Sequence, residues 1–250
     1  MARYDDKVVF VTGAASGIGR ATCVRFGAEG ARLYGVDVNA DGLTETASIV
    51  RDAGGSMEIA SCDVTKRDAC FAAIADCVET LGKLDVLLNV AGVVRFSHAT
   101  ETTEEDWNLM MAVNLSGPFF LSQAAIPHLI ATSGNIVNVA SNAGLMGQAY
   151  TVGYCASKAG LINMSNALAM EFVKTGVRIN CVAPSGVNTS LVHGIQFPDN
   201  IDGALMKRYQ GFRPMSTAED IVNVMAFLAS DEAVAVHGAV WAADQAVSTG

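Results

Sequence analysis

Lys7-Val8-Val9-Phe10-Val11-Thr12-Gly13-Ala14-Ala15-Ser16-Gly17-Ile18-Gly19 joins an unbroken apolar run to three closely spaced glycines. Lys7 to Thr12 is short and carries the continuous apolar run Val8 to Val11, the pattern of a strand buried on both faces. Ile18 to Glu29 reads as a helix that stops near Gly30. A strand that turns through glycines straight into a helix suits a pyrophosphate. Glycine lets the backbone turn tightly and approach the phosphates without a Cβ clash. The helix N-terminus offers unpaired N–H groups and a favourable dipole. Gly13, Gly17, Ile18 and Gly19 are therefore candidate phosphate-binding positions, with Ser16 as a hydroxyl donor. The spacing is GxxxGxG, not the general GxGxxG, so the strand-before, helix-after context carries much of the signal.

Outward from this loop, short apolar runs alternate with longer amphipathic ones. Strands are expected at Arg32–Asp37, Met57–Cys62, Val86–Asn89, Asn135–Val139, Val177–Ala183 and Ala239–Ala242. Helices are expected at Leu43–Ala53, Lys66–Leu81, Tyr154–Lys174 and Ala218–Ala229, with a helical region from Thr103 to Ala131 interrupted by Gly117-Pro118 and Pro127. Apolar strands separated by helices imply an α/β fold: a doubly wound, Rossmann-type parallel sheet of about seven strands with helices on both faces. With no linker or repeat in sight, residues 1–250 are expected to form a single domain. Ser185 to Thr217 lacks clear periodicity, and loops of that length are usually functional. Its apolar content predicts a mobile lid over a largely apolar substrate.

Asp37 ends the second strand eighteen residues after Gly19, close to where a ribose-binding acid belongs. Its carboxylate would accept both ribose hydroxyls and repel a 2′-phosphate, so NAD is expected over NADP. Asp63, after the third strand, either caps the next helix or contacts adenine. Asn89-Val90-Ala91-Gly92 closes the fourth strand with small residues that let the chain pass beside a cofactor.

Bulk properties narrow the field. The net charge of −9 argues against nucleic acid and against anionic membrane surfaces. No segment reads as the run of about 20 apolar residues that a membrane helix needs, and no signal peptide opens the chain. A soluble, cytoplasmic protein is expected. The six cysteines form no CxxC pair and no metal-ligand cluster, so free buried thiols and no metal site are expected. Only 16% of the residues are charged, which fits surface buried between subunits.

Tyr154 and Lys158 stand one helical turn apart, on one face. A nearby ammonium favours phenolate and lowers a tyrosine pKa from its usual value of about 10. Ser141, just past the fifth strand, can hydrogen-bond a substrate oxygen. TGxxxGxG, Asp37, NxAG, Ser141 and YxxxK, in this order and spacing, resemble the classical short-chain dehydrogenase/reductase family. The resemblance runs from about Lys7 to the C-terminus. It implies that Tyr154 is the general acid/base and that Ser141 orients the carbonyl or alcohol oxygen. It implies further that Lys158 lowers the tyrosine pKa and binds nicotinamide ribose, and that Asn114 completes a proton relay through water. Asp63-Val64, Asn89, Ala91, Gly92, Tyr154, Lys158, Pro184, Val187 and Thr189 match cofactor-binding positions, the last two holding the nicotinamide carboxamide.

The expected activity is hydride transfer between NAD and a secondary alcohol/ketone pair, in a homotetramer. Two alternatives are a carrier-linked 3-oxoacyl reductase and a dinucleotide-binding sensor without turnover. Relatives of the first kind tend to carry a basic residue in the glycine loop, where this chain has Ala14-Ala15-Ser16. Three positions depart from the family: Val90 for a second asparagine, Ser185 where Pro-Gly is usual, and Asp244-Gln245-Ala246 for Asp-Gly-Gly. The tail change is expected to touch assembly rather than chemistry.

Overall fold

The computed structural model describes residues 2–249. Seven parallel strands form one sheet in the order β3-β2-β1-β4-β5-β6-β7: β1 Val8–Thr12, β2 Arg32–Asp37, β3 Ser56–Ser61, β4 Val86–Asn89, β5 Asn135–Val139, β6 Arg178–Pro184 and β7 Val240–Ala243. The helices are α1 Gly17–Ala28, α2 Ala40–Asp52, α3 Arg67–Leu81, α4 Glu104–Met111, α5 Gly117–Thr132, α6 Val152–Glu171, α7 Ser190–His193, α8 Gly203–Lys207 and α9 Ala218–Ala229.

Every residue of β1 is buried, and its side chains alternate between two cores. Val9 and Val11 pack with Phe26, Val50 and Met225 of α1, α2 and α9. Val8 and Phe10 pack with Ile74, Leu121 and Leu129 of α3 and α5 on the opposite face. The uninterrupted apolar run is thus the signature of a strand covered twice. The edge strands differ: β3 buries only Met57, and β7 leaves Trp241 exposed, because each has a neighbour on one side only.

The strand order reverses between β1 and β4, so their carboxyl ends diverge and leave a crevice, where ligands bind in such sheets. Thr12 ties the end of β1 to the segment that follows β4. Its Oγ1 accepts from the Val90 and Ala91 amides at 2.9 and 3.0 Å.

The helical region before β5 departs from expectation. Gly117-Pro118 and Pro127 do not break it. Pro118 directly follows the Gly117 amide that closes the π turn, and Pro127 lies inside α5. The irregularity lies just upstream, in a π turn at Ala112–Ser116 that joins α4 to α5. Glu104–Thr132 is consequently one 29-residue helical stretch, long and apolar enough by composition to cross a membrane, contrary to the sequence expectation. Half of its most apolar window is buried inside the fold, as suits a core helix. Boundaries elsewhere shift by a few residues; α6 starts two residues before Tyr154 and stops three before Lys174.

Candidate active site

The glycine loop is locked by its own backbone. Gly13 and Gly17 have φ of 67° and 51°, left-handed values that favour glycine. A Cβ on Gly19 would stand 2.0 Å from the Gly13 carbonyl oxygen, so the third glycine is required for the loop to close on its helix. Asp37 is fixed against the same loop: Oδ2 accepts from the Ala15 amide at 3.2 Å and Oδ1 from the Asn39 amide at 3.0 Å. Arg20, the residue directly after the glycine loop, is already committed. It donates to the Ala15 carbonyl at 2.7 Å and to Glu45 at 2.6 Å.

Asp63 accepts from the Thr65 amide and hydroxyl at 2.9 and 2.7 Å, which holds its carboxyl below the usual range. The side chain therefore shapes the turn before α3 while still lining the crevice. Asn89 does not line it. Its Nδ2 donates to Asn138 Oδ1 at 2.8 Å, and Asn138 donates in turn to Ser165 Oγ at 2.8 Å, forming a buried ladder from β4 across β5 to α6.

Asn114 lies in the π turn and is fully buried. Its Nδ2 donates to the Val93 carbonyl at 2.9 Å and Ser157 Oγ at 3.0 Å, and its Oδ1 accepts from the Val93 amide at 2.9 Å. Both amide protons are used within the protein. The side chain braces the segment after β4 and has no donor left for a water.

Ser141 and Lys158 are buried, and Tyr154 is half-buried. Ser141 Oγ accepts from the Ala143 amide at 3.1 Å. Lys158 Nζ donates to the Val139 carbonyl at 2.8 Å and lies 5.7 Å from the centre of the Tyr154 ring. Burial pushes the lysine down to about 8 and the phenol above its usual value, with Ser141 pulling the phenol partly back. For the phenol, burial outweighs the Ser141 hydrogen bond.

These groups face one cavity of about 780 Å³. The glycine loop and Asp37 stand in its wall together with Ser141, Tyr154 and Lys158. Every sequence-predicted site residue lines it except Asn89 and Asn114, which stand behind that wall. Lys158 brings an ammonium with a single partner into this wall, and Gly13, Gly17 and Gly19 present bare backbone to it, so the residues present fit a dinucleotide.

The profile of the short chain dehydrogenase family matches residues 7–198. The chain belongs to the short-chain dehydrogenase family. It is 38% identical to the meso-2,3-butanediol dehydrogenase of Serratia marcescens over 95% of this chain and 92% of that one. It is 35% identical to a 3-oxoacyl-acyl-carrier-protein reductase of Thermotoga maritima over 95% of this chain and 96% of that one. Among solved structures, a short chain dehydrogenase from Mycobacterium paratuberculosis bound to NAD superposes with a TM-score of 0.92 at 30% identity, covering 99% of this chain and all of that one.

In this short-chain dehydrogenase the family departures acquire definite geometry. Ser185 has no positive φ, so serine fits where glycine is usual. Gln245 and Ala246 do adopt left-handed φ, 54° and 70°, a conformation that favours glycine. Gln245 and Val247 also line the cavity, which the sequence did not suggest. Asn142, Gln148 and Phe96 are further wall residues missed by sequence reading, because loop side chains carry no periodicity. From residues 185–217, Leu191, Val192, Ile195, Phe197, Met206 and Tyr209 line the cavity, whereas Phe212 points into solvent.

Proposed function

We propose that this chain moves a hydride between NAD and an uncharged secondary alcohol or its ketone. The carrying observation is that Ser141, Tyr154 and Lys158 share one cavity with the glycine loop and Asp37. Gly13, Ser16, Gly17, Ile18 and Gly19 would hold the pyrophosphate, and Asp37 the adenosine ribose. Asp63 and Val64 would flank adenine, Ala91 and Gly92 would border the cofactor, and Pro184, Val187 and Thr189 would hold the nicotinamide carboxamide. Asn89 and Asn114 contribute as braces behind this wall. Ser141 positions the substrate oxygen, and Tyr154 takes or returns its proton. Lys158 would donate to the nicotinamide ribose. When bound, oxidised nicotinamide supplies the hydride acceptor and a positive charge that favours phenolate.

Residues 185–217 act as the lid of a single catalytic domain, 1–250. Support comes from Ser190 Oγ, 3.4 Å from Ser16 Oγ of the glycine loop, and from Tyr209, which donates to the Ala149 carbonyl at 3.0 Å. A homotetramer in the cytoplasm is part of the same reading. Exposed Phe119, Ile130 and Met170 on α5 and α6 support the assembly.

The 3-oxoacyl reductase reading is disfavoured by Ala14-Ala15 in the loop and by Asp37. The test is NADH formation, followed by its near-ultraviolet absorbance, across a panel of secondary alcohols. NAD should exceed NADP in kcat/KM by at least about tenfold, some 1.4 kcal/mol. Comparable values for the two cofactors would overturn the assignment of Asp37. NADH that binds but is never oxidised by any ketone would mark a sensor instead.

A further inference from the structure

We propose that Gln148 binds a second oxygen of the substrate, which makes vicinal diols and α-hydroxyketones the substrate class. This deepens the alcohol/ketone reading and rests on Ser141 and Tyr154 holding the first oxygen.

A polar strip leads away from the reacting oxygen along an otherwise largely apolar wall. Ser141 Oγ lies 3.4 Å from Asn142 Oδ1, and Gln148 Nε2 donates to the same Oδ1 at 3.0 Å. Gln148 is thus within two hydrogen-bond lengths of the group that orients the substrate, and it lines the same cavity. Its amide is anchored at one end only. Oε1 has no partner among the described residues and is not sealed off, since it is absent from the buried unpaired atoms. A carboxamide oxygen fixed at an apolar cavity wall accepts a hydroxyl. Meeting a bare methylene there would cost it the hydrogen bond it otherwise makes to water.

Asn142 carries a second unsatisfied group. It is 3% exposed, and its Nδ2 has no partner. Interchanging its nitrogen and oxygen moves the deficit without removing it, so the strip is short of partners in either orientation. A monoalcohol fills the Ser141–Tyr154 end and leaves Gln148 facing hydrocarbon. A vicinal diol satisfies both ends. One carbinol loses its hydride to the cofactor and its proton to Tyr154; the other hydroxyl is unchanged and donates to Oε1. In the reverse direction, an α-hydroxyketone binds by the same two contacts. The wall also bears Arg213, which is exposed and without an ion-pair partner among the described residues. A carboxylate in place of the second hydroxyl is therefore a defined rival.

The experiment compares kcat/KM for cis-1,2-cyclohexanediol, cyclohexanol and 2-hydroxycyclohexanecarboxylate with NAD. The diol should exceed cyclohexanol by at least about tenfold, the discrimination expected of a paired polar contact. Gln148→Leu should reduce that ratio by about tenfold or more. An unchanged ratio in Gln148→Leu, or the carboxylate outrunning the diol, overturns the proposal. If none of the three reduces NAD, the hydride-transfer reading fails instead. The Gln148 proposal is then read from binding of diol and monoalcohol to the NADH complex by fluorescence, where equal affinities reject it.

Discussion

At the scale of single residues, the buried lysine has a cost that the sequence did not reveal. Lys158 is held at about 8 by burial, well below the ordinary lysine value of 10.5. Between those two values the unfolded chain binds more protons than the folded one, so stability rises with pH across that window. Below about 8 the full cost of the buried charge is present. Lys158→Met should therefore stabilise the cofactor-free protein at pH 7 by about 2 kcal/mol, raising Tm by roughly 4–8 °C, even as it abolishes turnover. The gain should fade as pH approaches that of free lysine, and an equal gain at all pH values would reject this account. NADH affinity of the wild type should also weaken as pH rises through about 8, a step absent in Lys158→Met. For Tyr154, whose phenol is raised by burial, alcohol oxidation should climb with pH as the phenolate forms. Tyr154→Phe should lower kcat at least about 100-fold while NADH still binds. The identities of these residues were legible from YxxxK and its order after Ser141. Their ionisation was not, because burial is a property of the packed wall and cannot be read from an i, i+4 spacing.

At the scale of elements, the strands were the most legible parts. Arg32–Asp37, Val86–Asn89 and Asn135–Val139 emerge with the expected bounds because apolar runs between turn residues leave little choice of register. The glycine loop was legible as a loop; its tolerance was not. Gly19 stands against the Gly13 carbonyl at a distance that no side chain can occupy. Gly19→Ala should cost at least about 2 kcal/mol in urea unfolding and weaken NADH binding in parallel. A variant as stable as wild type would show that the loop can spread. The tail offers the opposite case. Gln245 and Ala246 hold left-handed φ without being glycine, so Ala246→Gly should raise stability by about 0.5–1 kcal/mol. Neither effect follows from motif matching, since both depend on which backbone atom lies opposite.

For the molecule as a whole, the sheet order brings together residues as distant in the chain as Gly13 and Val247. The sequence indicated this through the reversal expected in a doubly wound sheet. It did not show that the C-terminal tail would complete the cavity, because that tail carries no periodic signal. Assembly belongs to the same scale. Phe119 and Met170 are exposed on α5 and α6 of a chain with only 16% charged residues. Phe119→Asp combined with Met170→Asp should shift the sedimenting species from tetramer to smaller forms, and a wild type that is monomeric at micromolar concentration would reject the assembly itself. The π turn at Ala112–Ser116 bears on how this chain tolerates length changes. There the Gly117 amide bonds to the Ala112 carbonyl, five residues back. One extra residue in a turn rotates everything beyond it by about 100°. α4 packs on α6 and α5 on α3, so the surplus residue keeps two halves of one rod facing different neighbours. Removing a single residue from this stretch would leave a good helix with its halves misaimed. Insertions and deletions, harmless in most surface loops, should be lethal to activity here.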